Sequence, residues 1–147
     1  MNCALELITL KEIATKEWEL EQKRKDAEAA EKYRAMCEDT IQLCETSIND
    51  SLTERAIQRR PLSVSYKVKI TTDRLGNDIF SFIRPDGRKY ANGDLSYAPS
   101  KTYYSVDILK EYLAKHCIAL DTRKDWYDCY GMGSLSCTYI KIYVPKP

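Results

Sequence analysis

The stretch from Thr9 to Arg59 contains neither proline nor glycine and is rich in Ala, Glu, Lys, Gln and Leu. These residue types are strong helix formers, so the sequence predicts a helical arm over residues 1–60. Arg60 precedes Pro61, and a residue before proline is pushed out of helical geometry. The arm is therefore expected to end there.

Two pairs within the arm have the spacing of a capping box: Thr9 with Glu12, and Ser51 with Glu54. They predict one helix over about 10–47 and a second over about 52–59. The spacing leaves open whether the two helices fuse into one.

One face of the arm is mostly apolar from its middle onwards. Its residues recur at steps of three or four: Tyr33, Cys37, Ile41, Cys44, Ile48, Leu52 and Ala56. Residues 16–32 are too poor in apolar side chains for deep burial, and two interpretations stay open. Either this helix is solvated and held by ion pairs along its surface, or Ile13, Trp18 and the alanines of this segment meet a second copy of the chain. We expect a homo-oligomer, a dimer or larger.

Residues 61–147 predict a small antiparallel sheet with one packed helix. Apolar residues alternate with polar ones from Leu62 to Thr71, and a short loop leads to a second strand over 79–84. Residues 95–104 are read as irregular and 123–134 as a loop. A helix capped by Ser105 and strands over 118–120 and 138–144 complete the order α-β-β-α-β-β. The predicted class is α+β.

Composition excludes several classes of function. Residues 1–60 carry a net charge of −3 and residues 61–147 one of +4, with ten of the eleven tyrosines in the second part. This basic density is too low for a dedicated DNA-binding protein, so we do not expect nucleic acid as a partner. No run of residues is long and apolar enough for a membrane span, and no secretory signal opens the chain, so we expect a cytoplasmic protein.

The residue inventory favours neither a metal site, nor a cofactor, nor an enzyme. The six cysteines form no C-x-x-C pair, and they are expected to be reduced thiols. His116 is the sole histidine, and its place after a predicted helix favours a role at the helix C-terminus over catalysis. Asp125 and Asp128 are interpreted as solvated charges. No nucleophile elbow, Walker loop or dinucleotide-binding loop occurs.

The best candidate for a binding site is F-I-R-P-D-G-R-K-Y-A-N-G-D, residues 82–94. Phe82 and Tyr90 offer rings for stacking on a base, and Arg84 and Arg88 offer guanidinium groups for phosphate. Asn92 can bond a base edge or a ribose hydroxyl.

Arg59 and Arg60, where the arm joins the sheet, are further candidate phosphate ligands. The alternative is an ordinary hairpin, with Phe80 and Phe82 in the core and the arginines in water.

A long N-terminal helix followed by a compact sheet domain, with Phe82 on a strand, Asn92 ten positions later and arginines nearby, resembles the phage anti-Thoeris sponges. The resemblance covers about residues 48–144. It implies a homo-oligomer, in the host cytoplasm, that binds a cyclic ADP-ribose isomer without cleaving it, and some members also hold cyclic oligonucleotides. The family also uses arginines late in the chain, where this sequence has Lys110 and Lys115, which lack the bidentate fork.

Two hypotheses of different classes follow. The first is a non-catalytic protein that sequesters a small cyclic nucleotide immune signal and so counteracts a bacterial antiphage defence. Its ligand-binding residues are Phe82, Arg84, Arg88, Tyr90, Asn92, Arg59 and Arg60. The second is a protein-interaction factor that uses the helical arm and has no small-molecule ligand.

Overall fold

The computed structural model describes residues 1–89, 91, 93, 95–128 and 134–146, without the side chains of 85, 86, 88, 95, 96, 125–128 and 134–137. The fold is α+β, as predicted: a long N-terminal helix precedes an antiparallel sheet and one packed helix. The elements are α1 (Ala4–Leu43), a π-helical turn (Cys44–Ile48), α2 (Asn49–Ile57), β1 (Ser63–Thr72), β2 (Asp78–Lys89), β3 (Leu95–Pro99), β4 (Tyr104–Ser105), α3 (Val106–Lys115), β5 (Ala119–Asp128) and β6 (Ser134–Tyr143).

The two helices predicted in the arm are one helical rod that begins at Ala4 and ends at Ile57. Both predicted caps are wrong. Thr9 lies inside the helix, where its hydroxyl donates to the carbonyl of Leu5 at 3.0 Å. Ser51 also lies within a helix, because the π-helical turn joins α1 to α2 without a break. The strong helix formers between Ala4 and Leu10 start the helix without a side-chain cap.

The arm has an uncovered part and a packed part. Every residue from 4 to 20 is exposed, whereas contact with the rest of the chain begins near Glu21. Surface ion pairs join Arg24 to Glu21 and Glu28. Arg74, in the loop between β1 and β2, donates to Asp26 at 2.7 Å. The ion pairs proposed for a solvated helix are thus present, and contact of this helix with a second copy stays a prediction.

The hydrophobic core lies between this helix, α3 and one face of the sheet. Its buried members are Cys44, Ile48, Leu52, Val64, Val68, Phe80, Leu109, Leu113, Ile140 and Ile142. Three residues of the predicted apolar stripe, Cys44, Ile48 and Leu52, are therefore core residues. Ile41 is not, because it is 38% exposed, and the fully buried residue at this level of the helix is Thr40.

A chain of hydrogen bonds ties α1 to the start of α3. The Thr40 hydroxyl donates to the Met36 carbonyl at 2.6 Å, and the same oxygen accepts from the backbone N–H of Ser105 at 2.9 Å. The Ser105 hydroxyl accepts from the N–H of Ile108 at 3.2 Å, which confirms the predicted cap of α3. It also contacts the Tyr33 hydroxyl at 2.9 Å. Because Thr40 and Ser105 are both fully buried, this series of hydrogen bonds fixes the position of α1 relative to α3.

The sheet has the strand order β3-β2-β1-β6-β5, with β4 also paired to β2, and every pairing is antiparallel. The predicted hairpin of β1 and β2 is confirmed. Residues 95–104, read as irregular, contain β3 and the first residue of β4. Residues 123–128, read as a loop, belong to β5, which pairs with β6 along its whole length. The charges in R-K-D-W-Y-D suggested a loop, but its Trp and Tyr favour a strand.

Strand β1 changes partner along its length. Ser63–Val68 pairs with β6 on one edge, whereas Val68–Thr72 pairs with β2 on the other. Val68 is the only β1 residue that belongs to both pairings. The part of β2 that follows Phe82 pairs with β3, and the part of β1 that precedes Val68 pairs with β6. These two parts of β1 and β2 therefore diverge from each other. Among the described residues, no helix has both the length and the apolar content needed to cross a membrane.

Candidate functional site

The divergence of β1 and β2 opens a cleft of about 270 Å³. We call it the strand cleft, and its lining residues are Leu43, Ser47, Ser65, Tyr66, Lys67, Phe82, Ile83 and Arg84. The first two come from the helix, which closes one side of the opening. The remaining residues come from strand segments that do not pair with each other, which is why space remains between them.

Aromatic rings form the inner wall of the strand cleft. The Phe82 ring lies 5.3 Å from Tyr66, 5.6 Å from Phe80 and 5.6 Å from Tyr104, measured between ring centroids. Phe80 is 1% exposed, and it shares a strand face with Phe82, as predicted. Phe82 is half-buried, so it belongs both to the edge of the core and to the wall of the cleft.

Two cations border the same cleft. The Arg84 guanidinium carbon lies 5.9 Å from the centroid of the Phe82 ring, and the Lys67 ammonium lies 4.9 Å from that of Tyr97. No carboxylate among the described side chains forms an ion pair with either cation. The cleft thus presents positive charge held against aromatic faces.

A second cleft, of about 320 Å³, continues the first along α2. We call it the arginine cleft, and its lining residues are Ser51, Glu54, Arg55, Gln58, Arg60, Val64, Ser65 and Tyr66. Because Ser65 and Tyr66 line both clefts, the two form one groove between the helix and the sheet. Among the described lining residues of this groove are four cations and a single carboxylate, so their electrostatic preference is for anions.

The end of α2 decides which of the two candidate arginines reaches the groove. The N–H of Arg60 donates to the carbonyl of Arg55 at 2.8 Å, and that of Arg59 donates to Ala56 at 3.1 Å. Together with the φ of 57° at Arg59, these bonds form a Schellman motif. Arg60 lines the arginine cleft, but Arg59 lines neither cleft.

The structure brings together some of the residues that the sequence analysis named as candidates. Phe82, Arg84 and Arg60 come together along one groove, whereas Arg59 does not join them. Tyr90, Asn92 and the side chain of Arg88 lie outside the described residues.

The sequence reading missed Tyr66, Lys67 and Arg55 as lining residues. Strand alternation assigns Tyr66 to the core and Lys67 to solvent, and nothing in that pattern reveals that the neighbouring strand leaves at this point.

Of the residues considered for catalysis, the structure describes the side chain of His116. His116 is exposed at the end of α3, where its Nδ1 lies 3.0 Å from the Tyr112 carbonyl oxygen. The side chains of Asp125 and Asp128 lie outside the described residues. No three His, Cys, Asp or Glu side chains of the described residues are grouped as metal ligands.

The described cysteines behave as thiols of different accessibility. Cys3 and Cys117 are exposed, Cys37 is half-buried and Cys44 is buried, and all four are free. Burial raises the pKa of the Cys44 thiol to about 11, and the charge of Glu45 adds to the effect. Cys44 is therefore an uncharged core residue at neutral pH.

No family model, curated protein or solved structure matches this chain.

Proposed function

We propose that this protein is a non-catalytic binding protein that sequesters a small cyclic nucleotide signal, such as a cyclic ADP-ribose isomer or a cyclic oligonucleotide. In this role it would counteract a bacterial antiphage defence by lowering the concentration of the free signal. The ligand occupies the strand cleft and extends into the arginine cleft.

One observation carries the proposal: the groove joins aromatic rings to cations that form no ion pair with a described carboxylate. A nucleobase can stack against Tyr66 or Phe82, which stand at the cleft wall. Phosphate groups can then accept hydrogen bonds from Arg84 on one side and from Arg60 on the other. Ligand pockets commonly measure roughly 300–1,000 Å³. The strand cleft, at about 270 Å³, falls just short of this range, and the arginine cleft that continues it, at about 320 Å³, lies at its lower end.

Sequestration rather than turnover is favoured by the chemistry of the lining. The groove supplies guanidinium, ammonium and hydroxyl groups, and Glu54 is the only carboxylate among its described lining residues. None of these lining residues carries an imidazole or thiol that could act as a base or nucleophile. These groups can hold an anion, and they offer little to transform it.

Isothermal titration calorimetry against cyclic ADP-ribose isomers and cyclic di- and trinucleotides tests the proposal. We expect at least one of these ligands to bind. Arg84→Gln should weaken that binding by roughly 10- to 100-fold, because a charge-assisted hydrogen bond contributes about 1.5–3 kcal/mol. If none of these ligands produces heat with the wild-type protein, the proposal is wrong.

Strand β1 offers a matched pair of lysines as a control. Lys67 lines the strand cleft, whereas Lys69 lies two residues further along the same strand, is exposed and lines neither cleft. Lys67→Gln should weaken binding, and Lys69→Gln should leave it unchanged. Equal effects of Lys67→Gln and Lys69→Gln would show that the overall positive charge attracts the ligand and that the ligand does not bind in the strand cleft.

A second candidate function, in protein–protein interaction, is favoured by the uncovered part of the arm. Seven large apolar side chains on residues 4–20 are at least half exposed: Leu5, Leu7, Ile8, Leu10, Ile13, Trp18 and Leu20. Exposed apolar groups at this density mark a surface that another protein covers.

A charge placed on this surface tests the second function. The double variant Ile13→Glu and Trp18→Glu should abolish association measured by light scattering or by capture of a host or phage protein. Ile57→Glu is the control, because Ile57 is 77% exposed but lies at the other end of the helical rod. If the double variant associates as the wild type does, the arm is not the contact surface.

A further inference from the structure

A further cavity lies on the side of α2 opposite to the groove that the strand cleft and the arginine cleft form. It has a volume of about 470 Å³, and we call it the apolar groove. Its lining residues are Cys44, Glu45, Ile48, Asn49, Leu52, Thr53, Ala56, Leu62, Tyr112, Leu113, His116, Ile118 and Val144. Residues of α2 on this list alternate with those that line the arginine cleft, so the two sites are separated by the helix itself.

The floor of the apolar groove is hydrophobic. Ile48, Leu52 and Leu113 are buried beneath it, whereas Leu62 and Val144 are 37% and 40% exposed at its border. A pocket with apolar walls and a few convergent polar groups is the usual form of a small-molecule site. The volume also falls within the range of roughly 300–1,000 Å³ that such sites occupy.

Polar side chains border this floor on two sides, one formed by the π-helical turn and α2 and the other by α3. Glu45, Asn49 and Thr53 recur at steps of four along the helix, and Glu45 belongs to the π-helical turn. Turns of this kind are frequent at functional sites. On α3, the Tyr112 and His116 rings are stacked with their centroids 4.6 Å apart, and they present a continuous aromatic surface.

The polar groups of the two sides are electrostatically linked across the groove. Burial raises the pKa of the Tyr112 hydroxyl, and the negative charge of Glu45 raises it further. Because the Nδ1–H of His116 donates to the Tyr112 carbonyl, Nε2 is the nitrogen that remains for another partner. Among the described residues that line the apolar groove, Glu45 is the only carboxylate, and none is a lysine or arginine.

We propose that the apolar groove is a second ligand site, for a small molecule that joins an aromatic ring to a protonated amine. The ring lies on the floor formed by Ile48 and Leu52, against the stacked Tyr112 and His116 rings. The ammonium group donates to the carboxylate of Glu45. The apolar groove thus prefers cations, whereas the groove formed by the strand cleft and the arginine cleft prefers anions. Binding in the apolar groove does not depend on the function proposed for those two clefts.

Tryptamine is the test probe, and indole-3-acetate is its charge-reversed counterpart. In a titration of the full-length protein followed by ¹H–¹⁵N NMR, we expect tryptamine to shift the amide signals of Ile48, Leu52 and Leu113, with a dissociation constant of about 1 mM or lower. Indole-3-acetate should bind at least about tenfold more weakly, because its carboxylate meets Glu45. Unshifted signals at these residues in several times this concentration of tryptamine would overturn the proposal.

Three variants separate recognition by Glu45 from nonspecific association. Glu45→Gln should weaken tryptamine binding at least about tenfold and remove the preference over indole-3-acetate. Asp50→Asn should leave both unchanged, since Asp50 is an exposed acid of α2 that lies outside the lining. Ala56→Trp, at an exposed position of the lining, should block the groove and abolish the shifts. Equal effects of Glu45→Gln and Asp50→Asn, or equal binding of the two probes, would contradict the assigned ligand class.

Discussion

Replacing Thr40 by valine tests whether the buried hydrogen-bond chain fixes the helix on the domain. Valine keeps the shape of threonine, but it removes the oxygen that accepts from the Ser105 N–H at 2.9 Å. Both residues are fully buried, so no water can replace the lost acceptor. An unsatisfied buried donor costs about 1–3 kcal/mol, and we expect Thr40→Val to lower the free energy of unfolding by about 2 kcal/mol.

The measurement is chemical denaturation, with thermal melting as a second readout. For a chain of this size, a loss of about 2 kcal/mol corresponds to a melting temperature lower by roughly 4–8 °C. Native-state hydrogen exchange supplies a local readout, because the amide of Ser105 should lose its protection.

Thr15 is the matched control. Its hydroxyl donates to the Lys11 carbonyl at 2.7 Å, the same bond that Thr40 makes within the helix, but Thr15 is exposed and has no tertiary partner. Thr15→Val should change the free energy of unfolding by less than about 0.5 kcal/mol. If the two variants lose the same stability, the bond to Ser105 contributes nothing and the reasoning is refuted.

Three further predictions concern single side chains. Ser81 is fully buried with no hydrogen-bond partner among the described residues, so Ser81→Ala should keep or raise the free energy of unfolding measured by denaturation. Ser105→Ala removes an equally buried hydroxyl that is hydrogen-bonded, so it should lower the free energy of unfolding by about 1–2 kcal/mol. A loss of stability with Ser81→Ala would show that the Ser81 hydroxyl has a partner. Burial raises the pKa of Cys44 from 9.0 to about 11, so the neutral thiol stabilises the fold below pH 9. This contribution, at most about 3 kcal/mol, should be lost between pH 9 and 11. Denaturation of the wild type and of Cys44→Ala across this pH range measures the loss. Arg59→Gly should raise the free energy of unfolding by about 1 kcal/mol, because glycine adopts the φ of 57° at this position without strain, and an unchanged value would mean that the arginine side chain compensates.

The helical part of this fold was predictable because its residue types alone favour a helix. Its details were not. Thr9 has the sequence signal of a cap, but the residues before it extend the helix, and capping spacing does not tell a helix start from a helix interior. The buried positions Thr40, Cys44, Ile48 and Leu52 recur at steps of four, and nothing in this spacing marks the extra residue of the π-helical turn.

The sheet was predictable where neighbouring segments are joined by a short loop, as β1 and β2 are. Alternation of apolar and polar residues reports which face a side chain occupies, and it is silent about which edge of the strand is paired. The change of partner at Val68 concerns the edges of the strand and not its faces. The alternation of apolar and polar residues therefore could not predict the strand cleft. Phe82 and Arg84 were found from their residue types, but Tyr66 and Lys67 owe their place in the cleft to that partner change.

The π-helical turn also determines how the chain responds to insertion and deletion of residues. Because this turn closes hydrogen bonds over five residues instead of four, it contains one residue more than an α-helix needs at that point. Deleting Thr46, which is exposed, should convert the turn into ordinary α-helix and leave the arm and the domain in their present orientation. The same deletion in α1, for example at Lys32, would instead rotate every residue before it by about 100° around the helix axis. A family of related chains should therefore vary in length at this turn more readily than elsewhere in the arm.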